Sequence, residues 1–328
     1  MPAIVLVEKI KEDLVALESQ VIQSIMLLSL KEEIGNAKSV FIKPNLTYHK
    51  YKEGVTTRRE FIECIISALI QINCAIRIYI GEGEGGYNSF SISEAFKNMG
   101  FLEIEKKFPN VRIINLSKVP SRQIIIDTCH GSCELELPKL FFDEIDFSIS
   151  CPVPKVHCMT KVSLSFKNQW GCLPDVMRLR NHYMFDDLIS KISDILKFKY
   201  AVLDGKYALN INGPIVGNSV ETNWFVASNS LGAFDMIVSE MMGFHWRKIR
   251  HLKKASKYGY LPKREQIQVF GDIESLKRKL MLKRYLWNYP ALAAFHSKKL
   301  TNLFYCSRLA KPLHDLMYIF RRRPIDIG

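Results

Sequence analysis

The residues best suited to chemistry begin with Lys155-Val156-His157, which follows Pro152-Val153-Pro154. The two prolines hold the backbone extended, so side chains two apart point to the same side. Lys155 and His157 then stand together as a catalytic pair. The positive neighbour favours neutral imidazole, and a histidine tuned near neutrality accepts and returns protons. Downstream lies Ser165-Phe166-Lys167-Asn168-Gln169-Trp170-Gly171. Lys167 and Asn168 offer a charge and an amide donor to an oxyanion, unless they only form a solvated turn ending at Gly171. His182, after Arg178 and Arg180, is a further donor or a surface-loop residue. Lys43-Pro44-Asn45 and Thr56-Thr57 complete the substrate-binding set, with turn and helix-cap roles as the alternatives. Asp204, in Asp204-Gly205, is the third catalytic candidate: it would orient His157 or hold a metal, unless it merely marks a turn.

The run Gly81-Glu82-Gly83-Glu84-Gly85-Gly86 superficially suggests a phosphate cradle. No Gly-Lys-Ser/Thr follows it, and the glycines do not fit the dinucleotide-binding spacing. Two carboxylates would also repel phosphate. Glu82 and Glu84 better suit a metal, an amine or a hydrogen-bonding role, and a flexible turn is the plain alternative.

These groups need elements to carry them. Short apolar runs at Ala3 to Val7, Ser39 to Ile42, Ala75 to Ile80, Val111 to Asn115, Ile145 to Ser150, Tyr200 to Leu203 and Trp224 to Ala227 read as strands. Helical spacing marks Leu14 to Glu33, Thr56 to Ile72, Ser93 to Met99, Phe185 to Leu196 and Leu231 to Met242, with Thr56 or Thr57 as an N-cap. Val162 to Phe166 reads as a strand or a helix start. This alternation predicts an α/β fold, with mixed or mostly parallel sheets flanked by helices and two lobes about a cleft. Lys43/Asn45, the Glu82 loop, Lys155/His157, Asp204/Gly205 and Ser228-Asn229-Ser230 all fall at strand ends, where ligands of such sheets sit.

The 328 residues are 48% hydrophobic and 24% charged, an ordinary globular balance. No run of about 18 apolar residues suggests a membrane span, and charges at Glu8, Lys9, Lys11, Glu12 and Asp13 break up the apolar start. The expected location is therefore cytoplasmic. None of the eight cysteines forms a CxxC pair. They read as free thiols, mostly small buried hydrophobes, and Cys129 and Cys133 flanking His130 are too few for a metal site. Charge is unevenly spread. From Trp246 to Gly328 the chain holds 20 Lys and Arg against 5 Asp and Glu, a balance of +15, while the other 245 residues balance at −2. Tyr285, Leu286, Trp287 and Tyr289 are interleaved with Lys283 and Arg284, and Leu309, Leu313, Leu316, Met317 and Phe320 precede Arg321-Arg322-Arg323. Three readings follow, in this order: basic helices packed on the core with Trp287, Tyr289 and Phe320 inward, an anionic membrane surface at the inner face, and nucleic acid. No nucleic-acid motif accompanies the charge.

Taken together, the motifs resemble the domain-of-unknown-function 362 family. The resemblance rests on Lys43-Pro44-Asn45, Thr56-Thr57, Lys155-x-His157, Lys167-Asn168-x-x-Gly171, His182, Asp204-Gly205, Gly213-Pro214-x-x-Gly217, and Asp235 in a helix ending at Gly243. It covers about residues 1 to 244. The core is expected to form two lobes, roughly 1–120 and 121–244, and the charge boundary marks a separate basic, aromatic-rich helical region over 245–328. Some members carry ferredoxin-like cysteine runs, but this chain has no iron–sulfur motif. The N-terminal layout is also similar to the lactate racemase family, in which His and Lys move protons beside a nickel cofactor. The expected function is an enzyme acting on a small anionic carboxylate or phosphate, by side-chain or metal-assisted proton transfer of isomerase or lyase type. A divalent metal on Glu82 or Asp204 is the cofactor consistent with this. The alternative is a non-catalytic membrane-surface or redox-partner protein using its basic C-terminal region.

Overall fold

A computed structural model describes residues 2–85, 90–129 and 131–320. His130, Gly86 and Arg321–Arg323 lie outside the described residues, as do the side chains of Met317 and Phe320. The strands are β1 (Ala3–Lys9), β2 (Ser39–Pro44), β3 (Arg77–Glu82), β4 (Val111–Asn115), β5 (Ser121–Thr128), β6 (Gly131–Pro138), β7 (Phe147–Cys151), β8 (Lys155–His157), β9 (Lys161–Ser163), β10 (Phe198–Gly213), β11 (Gly217–Ser228) and β12 (Ile267–Phe270). Ten of them form one sheet in the order β12-β1-β11-β10-β7-β2-β3-β4, with β8 paired along the far half of β10 and β9 paired with β8. β5 and β6 form a separate hairpin.

β10, β7, β2, β3 and β4 run parallel, whereas β11 is antiparallel to both β1 and β10. β2 and β7 are buried at every position. That is expected of parallel strands covered on both faces, and it explains the continuous apolar run Val40 to Ile42 in β2, while the buried Ser148 in β7 is satisfied by a hydrogen bond to the Leu196 carbonyl. Alternation sorts the core into two layers. Ile4, Leu6, Val40, Ile42 and Ile149 face the helices Leu14–Leu27 and Arg59–Ile72, while Val5, Val7, Phe41, Leu203 and Val226 face Phe185–Ile195 and Leu231–Met241. The mixed, mostly parallel α/β architecture is as the sequence suggests.

Several boundaries differ. The first helix ends at Leu27, because Ser29 takes a left-handed conformation (φ 58°) and a second helix restarts at Lys31. The helix expected from Thr56 starts at Arg59 with Arg58 as N-cap, since both threonine hydroxyls bond elsewhere. β10 and β11 extend well beyond Tyr200 to Leu203 and Trp224 to Ala227, forming a long antiparallel arm with a register shift between Gly205 and Tyr207. The sheet spans both proposed lobes. It also continues past Phe244: β12 pairs with β1, and Trp224 Nε1 donates to the Leu276 carbonyl at 2.7 Å. Five cysteines are buried, and Cys74, Cys129 and Cys306 are exposed. Among the described residues no helix is long and apolar enough to cross a membrane.

Candidate functional site

Parallel strands deliver their carboxyl ends to one edge. β2 ends in Lys43-Pro44 before Asn45, β3 in Glu82 before Gly83, and β7 in Cys151. From β7 the chain passes Pro152 and Pro154 into β8, turns into β9, and enters a short helix, Ser165–Asn168, and a tight turn, Gln169–Cys172. That helix has no side-chain cap of its own. Asp235, on the neighbouring helix, supplies one: its carboxylate accepts from Ser165 N at 2.8 Å, Ser165 Oγ at 2.5 Å and Phe166 N at 3.3 Å. Burial pushes the Asp235 carboxyl up to about 7, against these hydrogen bonds, which pull it down.

Between these ends lies a cavity of about 240 Å³ whose walls include Asn45, Thr47, Glu82, His157, Ser163, Lys167, Asn168, Trp170 and Arg178. Its floor is a buried ion pair: Lys43 Nζ donates to Glu82 Oε2 at 2.5 Å and to the Pro44 carbonyl at 2.7 Å. The same carboxylate oxygen accepts from Leu46 N at 3.3 Å. Gly171 makes room for it, since a Cβ there would lie 1.9 Å from Glu82 Oε1. Lys155 is fully buried and reaches Asn45 Oδ1 at 2.8 Å and Thr47 Oγ1 at 3.3 Å. Burial holds its pKa well below that of a free lysine, and Lys167 and Lys43 depress it further. Asn168 Nδ2 donates to the Lys43 carbonyl at 2.9 Å and to Ser150 Oγ at 3.3 Å, which fixes that amide.

His157 Nδ1 accepts from Met159 N at 3.1 Å and Thr160 N at 3.5 Å. The ring proton therefore resides on Nε2. Burial, with Lys167 and Lys155 nearby, holds the imidazole well below its usual pKa. The resting ring is a neutral donor at Nε2 rather than a free base. Lys167 is the titrating group: burial foremost, with the Arg178 charge adding to it, lowers its pKa to about 8. Its ammonium lies 4.9 Å from the Phe185 ring centroid. Arg178 reaches the Glu84 carbonyl. Glu84 itself is turned to Asn115 Nδ2 at 2.7 Å and to Ile92 N at 2.9 Å, at the start of the helix Ile92–Asn98.

Of the residues singled out in the sequence, Asn45, Glu82, His157, Lys167 and Asn168 line the cavity, while Lys43 and Lys155 lie directly behind it. The others lie elsewhere. Asp204 does not orient His157: its carboxylate accepts from Arg58 N at 2.8 Å and pairs with the Arg58 guanidinium at 2.7 Å. Thr56 Oγ1 closes a turn with Lys52 N at 2.9 Å, and Thr57 Oγ1 joins Asn45 N to the Cys151 carbonyl, at 2.8 and 2.9 Å. His182 sits against the rings of Trp170 (5.9 Å) and Phe295 (4.8 Å), and burial together with Lys167 keeps it neutral. Arg178, Thr47 and Ser163 were missed. Thr47 falls in irregular chain, Ser163 in a three-residue strand and Arg178 at the start of the 3-10 helix Arg178–Met184, all too short for periodicity to show; the only signal for Arg178 was its place near His182. Both metal candidates are committed to cations, Glu82 to Lys43 and Asp204 to Arg58. Among the described residues no group of three or more His, Cys, Asp or Glu is placed to hold a metal ion.

The protein is of the mixed α/β class, with a polar cavity at the carboxyl edge of its parallel strands. The chain belongs to the family described as Domain of unknown function (DUF362), whose model matches residues 40–240. It is 26% identical over 212 residues to a thylakoid-associated protein of Synechocystis sp., a match covering 62% of each chain. Among solved structures it is similar to the lactate racemase apoprotein from Thermoanaerobacterium thermosaccharolyticum, with a TM-score of 0.45 and 12% identity over 79% of this chain and 57% of that one. A Thermotoga maritima protein matches with a TM-score of 0.39 and 13% identity over 58% and 51%. The chain thus spans less than two thirds of the length of each of these proteins.

Proposed function

We propose that the cavity binds a small carboxylate or phosphate and that Lys167 exchanges a proton with the bound molecule, in an isomerisation or elimination. The observation that carries this reading is the charge balance of the walls. Glu82 is neutralised by Lys43, which leaves Lys167 and Arg178 facing the cavity with amide and hydroxyl donors around them. Such a site favours an anion, and its preorganised donors favour charge that develops on an oxygen. Lys167, with a pKa of about 8, is poised to give and take protons near neutral pH. His157 Nε2–H acts as a neutral donor to the same oxygen, which is a different role from the base suggested by its sequence context. A neutral imidazole used this way has precedent as a catalytic device.

The test is a panel of small carboxylates and phosphates titrated calorimetrically at low ionic strength, followed by magnetic resonance of bound ligands in deuterated water. Lys167→Met should weaken binding by about 10–100-fold, the usual cost of one charge-assisted hydrogen bond. Deuterium should enter a carbon-bound position only with Lys167 present. Absence of millimolar binding by any small anion refutes the cavity reading. Binding without exchange across the panel leaves an anion-binding protein and removes the enzyme.

A further inference from the structure

The basic C-terminal quarter has a second use, independent of the cavity chemistry. Between Glu274 and Asp315 the chain contains no acidic residue and nine basic ones. Half of the large apolar side chains exposed among the described residues fall between Phe270 and Leu316. The most exposed of all is Leu286, at 86%, followed closely in sequence by Trp287 at 54% and Tyr289 at 55%. The sequence admitted Trp287 and Tyr289 as packing residues, yet both stand more than half in solvent.

This apolar tip is held rigidly. Lys283 N donates to the Ile211 carbonyl at 2.9 Å, and Arg284 Nε donates to the Cys158 carbonyl at 2.6 Å. Asn288 Oδ1 accepts from Tyr285 N and Asn212 Nδ2, both at 2.8 Å. Leu286 and Trp287 therefore cap a loop pinned at both feet to the β10 arm, and the Tyr285 and Trp287 rings stack at 4.7 Å. An ordered loop that presents leucine and tryptophan to water, set in acid-free basic chain, calls for a partner that is apolar beneath and anionic at its surface. We infer that Leu286, Trp287 and Tyr289 enter the interface of an anionic bilayer, with Lys283, Lys298 and Lys299 on its headgroups. Aromatic rings suit that boundary, and lysines suit its charge. A phosphodiester chain would engage the same lysines but has no use for an exposed leucine. The anchors of the loop are sequence neighbours of the cavity: Cys158 follows His157, and Asn212 is two residues from Pro214, which lines it.

The test uses the full chain with vesicles of phosphatidylcholine alone or mixed with phosphatidylglycerol, sedimented at about 0.15 M and about 1 M salt. The protein should sediment with the mixed vesicles only, and part of that binding should survive high salt. Leu286→Glu with Trp287→Glu, at two exposed positions, should abolish the salt-resistant part while leaving thermal unfolding unchanged. Lys298→Glu with Lys299→Glu should lower low-salt binding by ~10-fold or more and spare the salt-resistant part. The inference is overturned if mixed vesicles bind nothing at low salt, or if the Leu286 and Trp287 variant binds like the parent. It is also overturned if binding vanishes wholly at high salt and RNA competes for it. None of these results bears on anion binding in the cavity, which the calorimetric titration reads separately.

Discussion

Replacing Gly171 by alanine probes the floor of the cavity through a single methyl group. The new Cβ would stand 1.9 Å from Glu82 Oε1 and 2.9 Å from Glu82 Cδ, far inside van der Waals contact. The carboxylate must retreat by about 1.5 Å, and a retreat directly away from Lys43 would open their 2.5 Å contact to at most about 4 Å. At an effective dielectric of about 20 that separation forfeits at most about 2.5 kcal/mol of attraction. Moving the backbone instead strains the 2.7 Å bond from Gly83 N to the Gly171 carbonyl. Urea unfolding should therefore show a loss of up to about 2–3 kcal/mol, below the 3–5 typical of deleting one partner of a buried pair. Gly35→Ala is the control, because that helical position has nothing within 4 Å and should be neutral or stabilising. The decisive measurement is a double-mutant cycle with Glu82→Ala, which removes the obstructing carboxylate. Gly171→Ala should then cost little, giving a coupling above about 1 kcal/mol. Additivity within about 0.5 kcal/mol would refute the link between Gly171 and the ion pair.

Asp235→Ala should strip the helix Ser165–Asn168 of its cap and leave two buried N–H groups unpaired, costing about 2–4 kcal/mol in denaturant unfolding. It should also weaken anion binding, because Lys167 and Asn168 ride on that helix. Lys167 sets a pH signature: above about pH 8 anion affinity should fall by about tenfold per unit as the ammonium loses its proton, and Lys167→Met should abolish the slope. Its pKa in the folded protein lies below the 10.5 of free lysine, so between about pH 8 and 10.5 the unfolded chain holds a proton that the folded chain lacks. Lys167 therefore makes stability rise with pH across that window, and Lys167→Met should flatten the rise.

The sequence made the interior strand β2 legible because burial on both faces leaves a continuous apolar run, Val40 to Ile42. Strands β5, β6 and β12 went unread: in β6 buried Cys133, Leu135 and Leu137 alternate with exposed Glu134 and Glu136, a strand signal that was passed over, while β12 is only four residues long. The site was half legible. Lys43, Asn45, Lys155, His157, Lys167 and Asn168 sit at strand ends or on the segment after β8, so locating the edge of the sheet located them too. Asp204 follows the run Tyr200 to Leu203 that reads as a strand, yet its partner, Arg58, is 146 residues away in sequence and nothing local points to it. The tautomer of His157 was equally hidden, because it depends on two backbone N–H groups in the turn after β8.

The placement of β1 governs how the chain can be made. Its neighbours are β11 and β12, both from the last third of the sequence, with Val5 opposite Ser228 and Ala3 opposite Ile267. A ribosome adding about 5–20 residues per second needs roughly ten to forty seconds to reach β11 after β1 has emerged. Through that interval Ile4 to Val7 have no strand to pair with, although the parallel group β2, β3, β4 and β7 can already assemble. The nascent chain therefore carries an apolar strand in waiting, a natural client for a holding chaperone. A stalled or truncated product would expose this one segment above others.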